Sequence, residues 1–209
     1  MRIGVIQASS QKEKNELLYE LTCEYAKDHE VINLGIFRDE KRNYSYIDIS
    51  IEIGILLASG AIDYAITGCS SGQGMMLACN SMPGVFCGYT PTPQDAYLFA
   101  QINNGNAVSL PLGLGFGWAG EINMKYTIEA LFAEPFGQGY PKEDAQRKLA
   151  DTELLKCIRK VSQVDMMDLL ENLYEKQVKQ ALSRKNIIDC IMTNGTNDDI
   201  IRWLKTAGY

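Results

Sequence analysis

The chain has a single histidine, His29, and six cysteines (Cys23, Cys69, Cys79, Cys87, Cys157 and Cys190) with no Cys-x-x-Cys pair. The donor sets of zinc sites and the paired spacing of a disulfide framework are therefore both missing. Long apolar runs are lacking too: the opening Met1-Arg2-Ile3-Gly4-Val5-Ile6 turns polar too early for a signal-peptide core, and no stretch has the length of a transmembrane helix. These absences predict a cytoplasmic protein with no metal, no cofactor and no membrane partner. Positive charge is also scarce, with 20 Lys and Arg against 26 Asp and Glu, a net charge of -6, and no cation at all between Arg42 and Lys125. Nucleic acid is held by dense positive surface, so a small molecule is the expected partner.

What is present suffices for a real core, since 46% of the 209 residues are hydrophobic and 22% charged. Arg2 to Gln7 reads as a β-branched strand, followed by the polar turn Ala8-Ser9-Ser10-Gln11 and a helix carrying Leu17, Leu18, Leu21 and Tyr25 on one face. Val31 to Leu34, Asp63 to Thr67, Val85 to Cys87 and Ala107 to Leu110 read as further strands. Between them, Tyr46 to Ala58, Met75 to Met82 and Pro93 to about Gln101 read as helices, and one more follows from Gly120 to Phe132. Such alternation predicts an α/β fold, a Rossmann-like three-layer sandwich with a mostly parallel five-stranded sheet. Gly137 to Pro141 reads as a hinge or binding loop. Beyond it Leu154, Ile158 and Val161, then Met166, Leu169, Leu170 and Leu173, recur at helical spacing. The expected organisation is a domain over 1–140 and a helical C-terminal extension over 141–209.

In an open parallel sheet the ligand crevice lies beyond the carboxyl ends of the strands. The most informative turn there is Cys69-Ser70-Ser71-Gly72-Gln73-Gly74. Its small residues let backbone N–H groups face a ligand, and the positive end of the next helix stabilises an oxyanion or a thiolate. Cys69 is thus a candidate base, although a buried thiol in an ordinary strand-to-helix turn has the same local sequence.

From Ile66 to Asn80, Cys-Ser-Ser-Gly-Gln-Gly-Met followed by Asn80 and Pro83-Gly84 resembles the signature of the ribose-5-phosphate isomerase B and galactose-6-phosphate isomerase family, Cys-Gly-Thr-Gly-x-Gly-Met followed by Asn-Lys and Pro-Gly. Tyr46-Ile47-Asp48 stands where that family often has Tyr-Pro-Asp, and Asn103-Asn104-Gly105-Asn106 where it has Asn-Asp-Ala-Asn. The resemblance spans roughly residues 1–145. It implies an aldose-ketose isomerase working through a cis-enediol, with Cys69 moving the proton between C1 and C2. It further implies that amides from Ser71 to Gly74, with Ser70, Gln73, Tyr46 and Asn80, surround the substrate, while Asn103, Asn104 and Asn106 orient its hydroxyls. A homodimer or homotetramer is implied as well.

The departures bear on the substrate. Where the family carries Asp-His after the first strand, this chain has Ala8-Ser9-Ser10, and the family's second histidine is missing as well. Asp95 is a candidate acid or base in its place, or a helix cap. The family's phosphate-binding arginines are missing, leaving Lys142 and Arg147 as the nearest candidates, unless they are merely solvated charges. A carboxylate needs fewer charged donors than a phosphate, and an open-chain keto acid needs no ring opening. These features resemble a longer branch that isomerises keto sugars derived from unsaturated uronates, such as 4-deoxy-5-keto-uronate, with a phosphorylated sugar as the second substrate class. A non-catalytic sugar-acid binding protein on the same fold is the alternative function. A dinucleotide-binding domain is disfavoured, because the glycine motif follows the third strand rather than the first.

Overall fold

The computed structural model describes residues 1–209. Strands β1 (Arg2–Val5), β2 (Glu30–Asn33), β3 (Tyr64–Cys69), β4 (Cys87–Tyr89) and β5 (Ala107–Pro111) form one sheet in the order β2-β1-β3-β5-β4. Every pairing is parallel, so all five strands end at the same edge, the upper end of the sheet. β3 lies at the centre and is buried at all of its residues, as a strand covered on both faces must be.

On one face pack α1 (Asn15–Tyr25), α4 (Pro93–Leu98) and α5 (Gly120–Leu131), around Leu18, Tyr64, Val108 and Ile128. On the other lie α2 (Tyr46–Ala58) and α3 (Gln73–Asn80). α4 continues into a π turn, Phe99–Asn103, whose Phe99 ring packs on Gly88 and Gly105 where a Cβ would lie only 2.5 and 2.4 Å from it. The segment expected as a hinge or binding loop is held to this turn: the amides of Gly137 and Gly139 donate to the carbonyls of Ala100 and Gln101 at 3.0 and 2.8 Å. The wider π turn leaves those carbonyls free of helical partners.

After α6 (Ala145–Ser162), short helices α7 (Met166–Asn172), α8 (Glu175–Ala181), α9 (Lys185–Asn194) and α10 (Asp198–Ala207) follow. They explain why α2 is apolar all round: α7, α8 and α9 cover its outer side, so Asp48 through Leu56 are all buried. Met166, Leu170, Val178, Leu182 and Ile191 share one core with Ile49, Ile53 and Leu56. The sandwich thus acquires a fourth layer on this side. No helix is long and apolar enough to cross a membrane.

Polar groups fix that layer. Ser45 and Asp48 form a capping box at the start of α2, and the second Asp48 oxygen accepts from Gln177 Nε2 at 2.5 Å. Arg184 is driven into the core, where it donates to Glu52 at 2.7 Å and to the carbonyls of Leu34 and Gly35 at 2.6 Å each. Both partners of this ion pair are almost wholly buried, and Glu52 Oε1 has no hydrogen-bond partner.

Burial pushes the Glu52 carboxyl up to about 8, although the Arg184 guanidinium pulls it down. The native state therefore keeps a proton that the unfolded chain loses around the ordinary value of 4.5, so this group's contribution to stability is complete below 4.5 and is lost as pH rises through about 8. Melting temperature should fall between about pH 5 and about pH 8.5, and Glu52→Gln should flatten that slope; equal slopes in both proteins would dismiss Glu52 as its source. Arg184→Met, which strands three buried acceptors, should cost about 3 kcal/mol in chemical denaturation. Lys185→Met, which breaks only the exposed pair with Asp189, should leave the midpoint where it is.

Candidate active site

The site is built where β3 stops. The carbonyl of Cys69 accepts the Leu112 amide at 3.0 Å, and that of Ser70 accepts Gly113 and Leu114 at 3.0 and 2.7 Å, so the turn is clamped to the chain leaving β5. Gly72 then reverses direction with φ +76°. A Cβ there would lie 2.7 Å from the Tyr89 ring and 2.9 Å from the backbone of Leu110 and Pro111, so both conformation and space demand glycine. The Gly72 carbonyl is held by the buried Ser109 hydroxyl at 2.7 Å.

This geometry leaves the first amides of α3 pointing outward, and no side chain caps them. Cys69, 8% exposed, ends β3 four residues before α3 begins. Gln11 Nε2 donates to the Ser70 hydroxyl at 2.9 Å, and the Ser70 hydroxyl approaches Ser10 at 3.4 Å. The Ser71 hydroxyl is half-buried. The Tyr46 ring roofs Gly74, about where a Cβ would be 3.7 Å away. Ser9 ties the first wall to the second: its hydroxyl accepts the Tyr44 amide at 2.7 Å, and its amide donates to the Tyr44 carbonyl at 3.1 Å. A thiol, uncapped amides and small hydroxyls together suit proton transfer next to a carbonyl whose oxygen becomes negative.

The structure therefore brings together Cys69, Ser70, Ser71, Gly72, Gln73, Gly74 and Tyr46. It does not bring the remaining expected residues to them. Asn103, Asn104 and Asn106 precede β5 and lie at the lower end of the sheet, about 15 Å from the Cys69 end along the strand direction. The Asn106 side chain is committed to the backbone of Phe86 and Gly84 at 2.7 and 2.9 Å. Asn80 closes α3 at the same lower end and binds both backbone groups of Cys87, while accepting from Arg159 at 2.9 Å. Its role in this chain is to stitch α3, β4 and α6 together. Asp95 sits in the first turn of α4, where its carboxylate accepts from the hydroxyl of the Thr92 N-cap at 2.6 Å, above β4 and about two strand spacings from β3. Lys142 is exposed on the lower side, and Arg147 is bound by Asp144 and Asp151 of its own segment. His29 also lies at the lower end, before β2.

A cleft of about 750 Å³ opens at this lower end between Phe86, Asn104, Asn106, Lys160 and Arg159. It holds no thiol, and the helix starts in its lining, those of α7 and α10, are capped by Asp165 and Asn197, whereas the start of α3 has no side-chain cap. Sequence reading missed Ser9, Gln11, Tyr44 and Ser109. The polar turn after β1 was the available signal for the first two, whereas Tyr44 and Ser109 join the site only through the pairing of distant segments.

A family model described as Ribose/Galactose Isomerase matches residues 3–149. Among solved structures, a 4-deoxy-L-threo-5-hexosulose-uronate ketol-isomerase complexed with a tartrate is 39% identical with a TM-score of 0.94, over 99% of this chain and 98% of that one. A ribose-5-phosphate isomerase from Vibrio parahaemolyticus is 36% identical with a TM-score of 0.93, again over 99% and 98%. A type B ribose 5-phosphate isomerase from Trypanosoma cruzi, at 19% identity and a TM-score of 0.65, shares the fold over 77% of this chain and 99% of its own. No curated protein sequence matches. With the match covering most of the chain and the Cys69 turn within it, the protein belongs to the ribose/galactose isomerase family.

Proposed function

We propose that this chain isomerises a small acidic sugar between its aldose and ketose forms, with Cys69 as the base. The observation that carries the reading is a buried Cys69 at the end of β3, in the turn that leads into the uncapped start of α3, inside a family of sugar isomerases. In the reaction the thiolate takes the proton from C2 of the aldose, the electron pair moves into a C1–C2 double bond, and the carbonyl oxygen becomes an enediolate held by the amides from Ser71 to Gly74. The O2 proton is released as the new carbonyl forms, O1 is protonated in turn, and the proton carried by Cys69 returns to C1. Nothing is oxidised or reduced overall.

A keto sugar acid of the 4-deoxy-5-keto-uronate type is the favoured substrate. No histidine stands at the upper end to open a furanose ring, and the 39% identical relative is named for a ketol-isomerase of such a uronate. A sugar phosphate is the second reading, favoured by the ribose-5-phosphate isomerase at 36% identity. We place the reaction in the cytoplasm, and assign 1–140 to the isomerase domain and 141–209 to its helical extension. The working form is a homo-oligomer. Leu154, Ile158 and Val161 make an apolar stripe on α6 that is 53 to 87% exposed, and Trp118 stands fully exposed. Pairing of copies would cover this surface and carry Asn103, Asn104 and Lys142 towards a neighbour.

Cys69→Ala should end incorporation of solvent deuterium into the product, lowering turnover at least about a hundredfold. Its melting temperature should stay within about 3 °C of wild type. Undiminished exchange in a folded variant would refute Cys69 as the base, and turnover of ribose 5-phosphate in preference to the keto-uronate would decide for phosphate. Ile158→Glu combined with Val161→Glu should yield a folded monomer by light scattering, with turnover lost; an unchanged mass would remove the α6 stripe from the interface.

A further inference from the structure

An acidic sugar bound at the Cys69 end brings a negative charge with it. The chain between Arg42 and Lys125 supplies no cation to meet that charge. Five basic residues stand near the upper end, on the turn after β1 and the loop after β2: Lys12, Lys14, Arg38, Lys41 and Arg42. Lys41 is solvent-exposed with no hydrogen bond or ion pair to anchor it, and three of the others are spoken for or face elsewhere. Arg38 is paired with Glu13 at 3.0 Å, Lys12 reaches the Glu40 carbonyl at 3.4 Å, and Arg42 sits beside Glu175 and Lys179 of α8.

Lys14 differs. It takes part in none of the ion pairs of the chain, and its Nζ donates no hydrogen bond to a side chain or carbonyl. Its ammonium rests instead 3.9 Å above the centre of the Phe116 ring. That ring belongs to the loop that clamps the catalytic turn: Phe116 donates to Gly113, and Gly113 and Leu114 donate to the Ser70 carbonyl. On the other side Gln11, three residues before Lys14 in the same turn, holds the Ser70 hydroxyl. The ammonium is thus tethered to both walls that meet at Ser70, next to the Cys69 turn.

Resting on the acidic-sugar reading of the substrate, we infer that Lys14 is the specificity-determining cation of the Cys69 site, parked on Phe116 and drawn off by the acid group of the substrate. A ring face attracts the charge but leaves the ammonium N–H groups without an acceptor, whereas a carboxylate supplies both the opposite charge and the acceptors. The flexible four-carbon stem lets the head move without rearranging the turn.

Two measurements on the full chain test this. Binding of tartrate, a hydroxy dicarboxylate, is followed by calorimetry, and turnover of 4-deoxy-L-threo-5-hexosulose uronate by steady-state kinetics. Lys14→Met should weaken tartrate binding and raise KM by roughly tenfold or more, with a smaller fall in kcat, and Lys14→Arg should recover most of both. Salt at about 0.5 M should narrow the gap between variant and wild type. Wild-type affinity and KM in Lys14→Met would overturn the assignment, as would a rise confined to Lys142→Met. Failure of the cation and failure of the isomerase look different: full turnover with unaltered binding in Lys14→Met condemns Lys14 and spares the isomerase. Absent turnover in the wild type, with tartrate binding still lost in the variant, condemns the isomerase and supports Lys14 as the anion site.

Discussion

The fold hangs on the burial of one charge. Arg184 arrives from a late helical segment, and its guanidinium finds acceptors only deep in the core, on Glu52 of α2 and on the carbonyls that follow β2. Those contacts fix the outer helices against α2 and fix the segment after β2 against the sheet. Tyr44, whose ring lies 5.4 Å from the guanidinium and whose hydroxyl meets Ser183 at 3.0 Å, passes the constraint on through its backbone to Ser9. From Ser9 it is a short step through Ser10 and Gln11 to Ser70. A buried charge is weak evidence for stability, yet the arrangement that satisfies this one includes a wall of the site.

The site itself owes more to backbone than to side chains. Clamped carbonyls at Cys69 and Ser70, a left-handed Gly72 and a hydroxyl on its carbonyl together aim a set of amides at one point. Amides set by the fold need no reorganisation when charge develops on a substrate oxygen, which is the condition under which such donors are most effective.

Much of this was legible in the sequence, for identifiable reasons. Short β-branched and apolar runs located the strands, and helical spacing the helices, of the sheet domain, because buried strands are apolar throughout and helices bury one face. The Gly-rich turn was legible because only small residues fit between Tyr89 and Pro111. Family motifs state which residues occur and not at which end of a strand they fall, and within one chain the parallel register puts residue 106 at one end and residue 69 at the other. Asp95 read equally as an acid or as an ordinary residue of a helix start, and its carboxylate holds the hydroxyl of the Thr92 N-cap. Arg184 and Glu52 gave no local signal, since they stand 132 positions apart in sequence and either one alone looks like an ordinary surface charge.

The depth at which α2 is buried has a further consequence for how the protein comes into being. During synthesis this greasy helix emerges near the start, yet the helices that shield its outer side follow it by more than a hundred residues. Until they are made, a nascent chain carries an apolar flank with nothing to sit on it, the kind of surface that recruits chaperones or sticks to its own kind. The isomerase is thus a protein whose early half waits for its late half, and damage to the late helices should be felt first as poor yield of folded protein.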